Sequence, residues 1–545
     1  MPFTPLDQFY KWERETPDHI FLRQPIQGQW HTYTYGQAGQ EIRKVVAGLK
    51  AMNLPPQSKI ALLSKNCAHW IMADLAIWMC GHVSVPMYPS LSAHAIRYML
   101  EHSECKAIFL GKLDDYHKQQ PGIPESITKI SFPIYGPNEG KSWDALLNFT
   151  SAIENFQPLP ETTATIIYSS GTTGTPKGVM LSFGAFDFFG KAVIRDFEMD
   201  KPYPFFSYLP LSHIAERAYI EMGVLYSGSN ISFAESLEKL GQNLSEVQPV
   251  LFGGVPRIFA KFQEGVLSRL SQKKLDLLLA LPIIRSLIKK YIQKKIGLSK
   301  AKAIVCGAAP IPVSLLKWFQ KIGLSIHEVY GLTEDCGYSH GDHGSQFKYG
   351  TVGRAWPGVE SKLGEGGEIL VKHGALMTGY FKDSETTRSV FTEDGFLKTG
   401  DRGSVDHDGF LTITGRIKDQ FKTDKGKFIA PAAMEMKLQA NPDIDQVCVV
   451  GMGIPQPIAL IVLSASGKAK PKESIIESLS VSLVKTNEEL EDYERLACAV
   501  IMQGDWTIEN GLMTPTLKVK RYEVEKIHMP HYPKWFAERK VVLWE

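Results

Sequence analysis

What the chain lacks narrows the field first. Neither sign of charge prevails: 60 Lys and Arg against 58 Asp and Glu leave a formal net charge of +2. That balance excludes a polybasic nucleic-acid coat and an acidic disordered chain, so no nucleic-acid partner is expected. The seven cysteines (Cys67, Cys80, Cys105, Cys306, Cys336, Cys448, Cys498) contain no CxxC pair. An odd number without disulfide or zinc spacing predicts reduced, mostly buried thiols. No run reaches the roughly 18 uninterrupted apolar residues of a spanning helix. The stretch from Met1 to Ile20 has no apolar segment of the kind a signal peptide needs. A cytoplasmic chain is expected. A Walker A loop is missing too: Gly171 is followed five places on by Pro176, and only three residues separate Gly136 from Gly140 before Lys141. A P-loop ATPase is disfavoured.

What is present reads as α/β. A chain of 545 residues exceeds one core and predicts two or three units of roughly 100–200 residues each. Helical spacing over Tyr35 to Met52, Trp70 to Cys80 and His94 to Glu101 alternates with short apolar runs. Those runs are Ile60 to Leu63, Val83 to Met87 and Ala107 to Leu110. The alternation predicts open, mostly parallel sheets covered by helices. From Gly350 onward, frequent glycines punctuate short β-like runs, predicting an antiparallel, β-rich subdomain over roughly 345–415. The texture changes again near Gly415 to Asp419. Residues 1–415 are therefore expected to form a large domain, 416–419 a connection, and 420–545 a small α+β C-terminal domain.

The most informative stretch is Tyr168 to Gly178, after the β-like run Ala164 to Ile167. Gly171 and Gly174 let backbone N–H groups turn inward around an anion. Ser169, Ser170, Thr172, Thr173 and Thr175 add hydroxyls, and Lys177 adds a compact charge for phosphate oxygens. A surface hairpin turn is the plain alternative, but eleven such positions together are unusual for one.

This loop resembles the signature of the adenylate-forming (AMP-binding) superfamily, which includes acyl-CoA synthetases, luciferases and peptide-synthetase adenylation domains. Further similar stretches follow in order: Leu209 to Arg217 in the form typical of long-chain fatty-acid–CoA ligases, Gly254 to Arg257, Gly307 to Pro310, and Tyr330 to Glu334. Thr399 to Asp401, Gly415 to Asp419, and Asn510 to Lys518 complete the series. The resemblance implies ATP-dependent activation of a long-chain fatty acid to acyl-AMP, then thioester formation with coenzyme A, with ATP, Mg2+ and coenzyme A as cofactors or co-substrates. It also implies that the small domain moves.

Roles carry over residue by residue as implications of that resemblance. Ser169 to Lys177 would hold the β- and γ-phosphates. Glu334 would bind magnesium, with Thr333 near the α-phosphate. Tyr330 would stack on adenine, with Gly307, Ala308 and Ala309 on the ring's other side. Asp401 would accept from the ribose hydroxyls and Arg416 would support ribose or phosphate. Lys518 would reach the α-phosphate and carboxylate, Lys418 would be the hinge, and Gly426 would let a pantetheine arm approach. Tyr208, His213, Val255 and Phe259 would border the acyl chain. Phe183, Phe259 and Asp424 depart from residues common in relatives at these places.

Other signals compete. Cys336, His340, Asp342 and His343 crowd together, but without zinc spacing a loop after Glu334 is the expectation. Residues 275–296 alternate apolar side chains with lysines, and two readings stand: a solvated surface helix, or peripheral contact with an anionic membrane. Pro282 argues against one long helix there. Two alternatives to the ligase also stand, an acyl-AMP ligase serving a carrier protein and a catalytically silent nucleotide- or lipid-binding member. The sequence leaves the oligomeric state open.

Overall fold

Helices begin where the sequence supplies a cap. The Thr34 hydroxyl accepts from the Gln37 N–H (3.2 Å) while the Gln37 side chain accepts from the Thr34 N–H (3.0 Å), a capping box that starts Tyr35–Lys50. Ser182 caps Phe183–Asp196 by accepting from the Ala185 N–H at 3.1 Å. Ala68–Met79 is apolar nearly all round and all twelve of its residues are buried. The computed structural model describes residues 4–150, 153–169, 176–199, 201–342, 347–488, 490–514 and 518–545.

The expected parallel sheet is there. Strands Lys59–Leu63, Val83–Met87, Ala107–Leu110 and Thr128–Ser131 pair in parallel, with Ala68–Met79 and Ala93–Ser103 as crossover helices. The same eight-stranded sheet continues through Thr163–Ser169, Lys177–Ser182 and the edge strand Gly379–Tyr380, which pair antiparallel. A second sheet places Leu251–Gly254, Ala303–Cys306 and His327–Tyr330 in parallel, then adds two short antiparallel strands. A third joins Pro204–Ser207, Asn230–Phe233, Ile20–Ile26 and Gln29–Thr34. The glycine-rich stretch forms an antiparallel sheet of Glu360–Leu363, Glu368–Lys372, Leu397–Val405 and Leu411–Arg416.

One 3₁₀ turn, Ile417–Asp419, leads out of that sheet, and Lys418 on it is exposed. Beyond it, Ile444–Val450 and Ile458–Leu463 pair antiparallel and Ala499–Ile501 and Val542–Trp544 add in parallel. Alternate residues of one strand face opposite ways. Val447 and Val449 pack with Met434, Leu438, Ile475 and Leu479 from helices Pro431–Leu438 and Lys472–Asn487. Cys448 and Val450 pack with Val524, Tyr532 and Trp535 on the other face. The small domain thus has a core on each side of its sheet.

All seven cysteines are free, six of them buried and Cys80 half-buried. Pro282 breaks the amphipathic stretch as expected, into Gln272–Ala280 and Pro282–Lys295. Leu281 before it is extended (φ −86°, ψ 112°), as a residue preceding proline prefers. The region after His213 was not foreseen: Glu216–Met222 winds as a π-helix before continuing as Gly223–Ser227.

Candidate active site

The phosphate-loop candidate joins two antiparallel strands, with Ser169 opposite Lys177 in register. The flanking elements are both strands, whereas a Walker loop leads from a strand into a helix. Ser170, Gly171, Thr172, Thr173, Gly174 and Thr175 lie outside the described residues. Helix Ala93–Ser103 braces both shoulders: the Tyr98 hydroxyl donates to the Pro176 carbonyl (3.2 Å) and His102 Nδ1 lies 2.7 Å from the Tyr168 hydroxyl. Lys177 Nζ sits 3.3 Å from Thr386 Oγ1 and 3.8 Å from Asp383 Oδ2.

Glu334 follows the strand His327–Tyr330 on a single 3₁₀ turn, Thr333–Asp335. The buried neighbour Asp335 locks this turn, its Oδ1 accepting the N–H of Leu332 (2.7 Å) and of Gly337 (3.0 Å). Burial pushes that carboxyl up to about 8. Glu334 stays half-buried, and its Oε1 accepts from the Tyr380 hydroxyl (3.0 Å) and the Ser169 hydroxyl (3.4 Å). A carboxylate beside the candidate phosphate loop fits Mg2+, which takes one or two carboxylates and fills its remaining positions with phosphate oxygens and water. Thr333, also half-buried, contributes its carbonyl to the Cys336 N–H.

Asp401 and Arg416 face each other across paired strands. Arg416 Nε reaches Asp401 Oδ1 at 2.9 Å, and the Tyr330 hydroxyl donates to Asp401 Oδ2 at 2.7 Å. A carboxylate has about four lone-pair directions, so each oxygen can take a further donor. Gly307, Ala308 and Ala309 follow the strand Ala303–Cys306, and the latter two are exposed. Ala308 holds φ +67°, a left-handed conformation that costs a side-chain-bearing residue on the order of 1 kcal/mol.

Lys518 arrives from the small domain, where the Thr514 N–H donates to its carbonyl (2.8 Å) and its own N–H donates to Thr514 Oγ1 (3.0 Å). Pro515 to Leu517 lie outside the described residues. The Lys518 side chain keeps solvent-exposed surface. Desolvation, with Arg416 adding and Asp401 opposing, pushes its ammonium down to about 8. Burial, helped by the Lys518 charge, pushes His213 down to about 4, a neutral imidazole at neutral pH. Lys518 thus lies within electrostatic reach of Asp401, Arg416 and His213, and Arg257 of the large domain lies 3.6 Å from Asp445 of the small one.

The acyl-chain candidates divide. Tyr208 stacks on Phe252 (5.5 Å, 3°) and donates to the Gly253 carbonyl at 2.8 Å. Its N–H and the Ser207 hydroxyl are held by Glu216 Oε1 at 2.9 and 2.7 Å. Val255 is the half-buried residue preceding helix Pro256–Leu267. Phe259 has no exposed surface and packs among Phe252, Phe262 and Phe319. Gly426 is elsewhere, at the tip of the Phe421–Lys422 and Phe428–Ile429 hairpin, with φ +74° and open space where a Cβ would stand. Of the cysteine–histidine cluster, Cys336 is buried near Arg217, His340 Nδ1 lies 2.8 Å from Ser339 Oγ, and His343 is outside the described residues.

Sequence reasoning missed Tyr380, which belongs to none of the quoted stretches. It also read no role into Arg217, although its motif was quoted. Arg217 is fully buried in the π-helix, bonded to Asp74, to Glu221 (Nε to Oε2, 3.0 Å) and to Thr165 (Nη1 to Oγ1, 2.7 Å). The rings of Trp70, Trp78 and Phe186 surround its guanidinium. Burial pushes both Asp74 and Glu221 up, and the single Arg217 guanidinium opposes it for each. Thr165 lies on the strand that leads into the phosphate loop.

Comparison with known proteins matches this architecture twice. Residues 9–381 match the family described as AMP-binding enzyme, and 418–527 match the AMP-binding enzyme C-terminal domain. The chain is 30% identical to the long-chain-fatty-acid–CoA ligase FadD15 of Mycobacterium tuberculosis, over 94% of this chain and 93% of that one. It is 28% identical to the peroxisomal long chain acyl-CoA synthetase 6 of Arabidopsis thaliana, over 94% and 81%. Among solved structures it resembles the adenylation domain of a carboxylate reductase from Mycobacterium chelonae (TM-score 0.80, 21% identity, 98% and 91% covered). It also resembles o-succinylbenzoate CoA synthetase of Bacillus subtilis bound to its acyl-adenylate (TM-score 0.75, 22% identity, 96% and 98% covered).

Proposed function

The chain belongs to the AMP-binding enzyme family, and from that premise we propose that it is a long-chain fatty-acid–CoA ligase. The fatty-acid carboxylate attacks the α-phosphorus of ATP, the bond to pyrophosphate breaks, and acyl-AMP forms. The thiol of coenzyme A then attacks the acyl carbonyl, its proton passes to solvent, and AMP leaves. The observation that carries the reading is the placement of Lys518: an ammonium from the small domain comes within electrostatic reach of the Asp401–Arg416 pair and the neutral His213. A cation fixed where negative charge develops lowers an adenylation barrier without reorganising solvent.

The other residues take matching parts. Ser169, Lys177 and the loop between them hold the phosphates, and Tyr380 orients Glu334 toward a magnesium ion that would neutralise phosphate charge. Tyr330 and Asp401 receive the nucleoside beside Gly307 to Ala309. Tyr208 and Val255 line the acyl path, stiffened from behind by Phe252 and Phe259. Lys418 serves as the hinge, whose rotation withdraws Lys518 and brings Gly426 to the thiol's path. The similarity to ligases named for long-chain fatty acids, over 94% of this chain, supports the choice of acid.

The test is incubation with ATP, coenzyme A and saturated acids of increasing length, following pyrophosphate and thioester. Each methylene buried in the acyl path adds up to about 0.8 kcal/mol, so kcat/KM should climb with length and then level off at long chains. A preference for acetate or an aromatic acid would overturn the choice of substrate and leave adenylation standing. Pyrophosphate release without thioester would turn the assignment to an acyl-AMP ligase serving a carrier protein.

A further inference from the structure

Helices Gln272–Ala280 and Pro282–Lys295 form a hairpin whose inner face is fully used. Leu275 and Ile292 are buried in the same apolar cluster as Phe252, Phe259 and Phe319, and Trp318 Nε1 donates to Gln272 at 3.0 Å. The outer face is different. Ile283 is 86% exposed, Leu287 66%, Leu277 65% and Tyr291 62%, with Leu281 and Ile284 exposed beside them. Scattered exposed apolar residues are ordinary, but six on one short hairpin make a patch that needs an occupant.

The charge around the patch says which. Between Arg269 and Lys302 stand ten Lys and Arg and a single acid, Asp276, in a chain whose totals are 60 and 58. Lys290, Lys294 and Lys295 are exposed beside Tyr291 on the second helix. A second copy of this chain meeting the patch through a two-fold axis would set this basic surface against itself. A surface that combines apolar side chains with lysines on short amphipathic helices complements the headgroup layer of an anionic bilayer. No described helix is long and apolar enough to cross a membrane, so contact here is peripheral.

We propose that the 272–295 hairpin docks the protein on anionic lipid membranes, inserting Leu277, Ile283 and Leu287 while the lysines hold the headgroups. The biological reason rests on the fatty-acid reading above: the hairpin continues from helix Pro256–Leu267 and packs on the apolar body behind Tyr208. A membrane-borne acid would meet the protein there.

The test is co-sedimentation of the full chain with vesicles, without ATP, coenzyme A or acid. Binding is thus read independently of what the site activates. Phosphatidylcholine vesicles containing phosphatidylglycerol should retain the protein, and phosphatidylcholine alone should retain it far less. Ile283→Asp with Leu287→Asp should abolish binding. Lys290→Glu with Lys294→Glu should weaken it by about tenfold or more on the anionic vesicles only. Both variants should keep wild-type rates on acid supplied in free solution, which also shows that they fold. Equal binding to both vesicle types, or no loss in either variant, overturns the proposal. So does a hairpin variant that converts an oligomer to monomer in analytical ultracentrifugation, because the patch would then be covered by another copy.

Discussion

On the proposed reading a single ammonium carries the chemistry, and its charge is conditional. Lys518 is pushed down to about 8 by desolvation and by Arg416. A lowered lysine pKa means the charged form is lost sooner as pH rises. For the free enzyme, kcat/KM for ATP in adenylation should therefore hold below that value and fall as pH climbs through it. Lys518→Arg keeps the charge across this range and should remove the falling limb, though at a lower rate. Lys518→Ala should slow adenylation by roughly 10²–10⁴, the span typical for losing a fixed charge stabiliser. Thioester formation from supplied acyl-adenylate should change little, and equal loss in both half-reactions would refute the assignment. At this scale the sequence was readable only where a motif spoke. Glu334 was legible; Tyr380, which orients it, was not, because a Gly-Tyr pair carries no sign of what lies across a sheet edge. Phe259 was legible as apolar but not as buried, since side-chain depth depends on Phe319, sixty residues away.

Elements were legible in proportion to their regularity. The parallel strands and crossover helices of the first half stood out as apolar runs and helical spacing, and Pro282 marked its own break. The π-helix Glu216–Met222 was opaque, because nothing in the local pattern of charges at 216, 217 and 221 signals that the structure buries all three. That burial has a measurable cost when disturbed. Arg217→Met leaves Asp74 and Glu221 without a counter-charge and should lower stability by about 3–5 kcal/mol in denaturant unfolding. Adding Asp74→Leu and Glu221→Leu to that variant should recover most of the loss. If Arg217→Met alone is neutral, the cluster is not a stabilising ion network. The 3₁₀ turn Ile417–Asp419 yields a second prediction. Lys418→Pro fixes φ and should trap one domain arrangement, so adenylation should survive while thioester formation from acyl-adenylate collapses. Loss of both in equal measure would remove Lys418 as the hinge.

The whole molecule is two bodies and one short tether. The sequence places the junction near Gly415 to Asp419, where the glycine-rich texture ends and charge follows, and the two family matches break between 381 and 418. How the bodies meet was not legible, since no local pattern encodes that Lys518 comes within electrostatic reach of Asp401 and His213. The small domain has a core on each face of its own sheet, and little but one turn binds it covalently to the rest. Its encounter with the large domain is in effect a binding reaction run inside one chain. A short flexible connection sustains an effective concentration on the order of millimolar. Cutting between Ile417 and Lys418 should leave two folded fragments whose mixture still adenylates, but at a rate that rises with the concentration of each. Half-maximal activity should require concentrations approaching that millimolar scale, and dilution should extinguish turnover that the intact chain sustains at any concentration. The turn at 417–419 would then be what makes the enzyme's rate independent of how scarce it is in its surroundings.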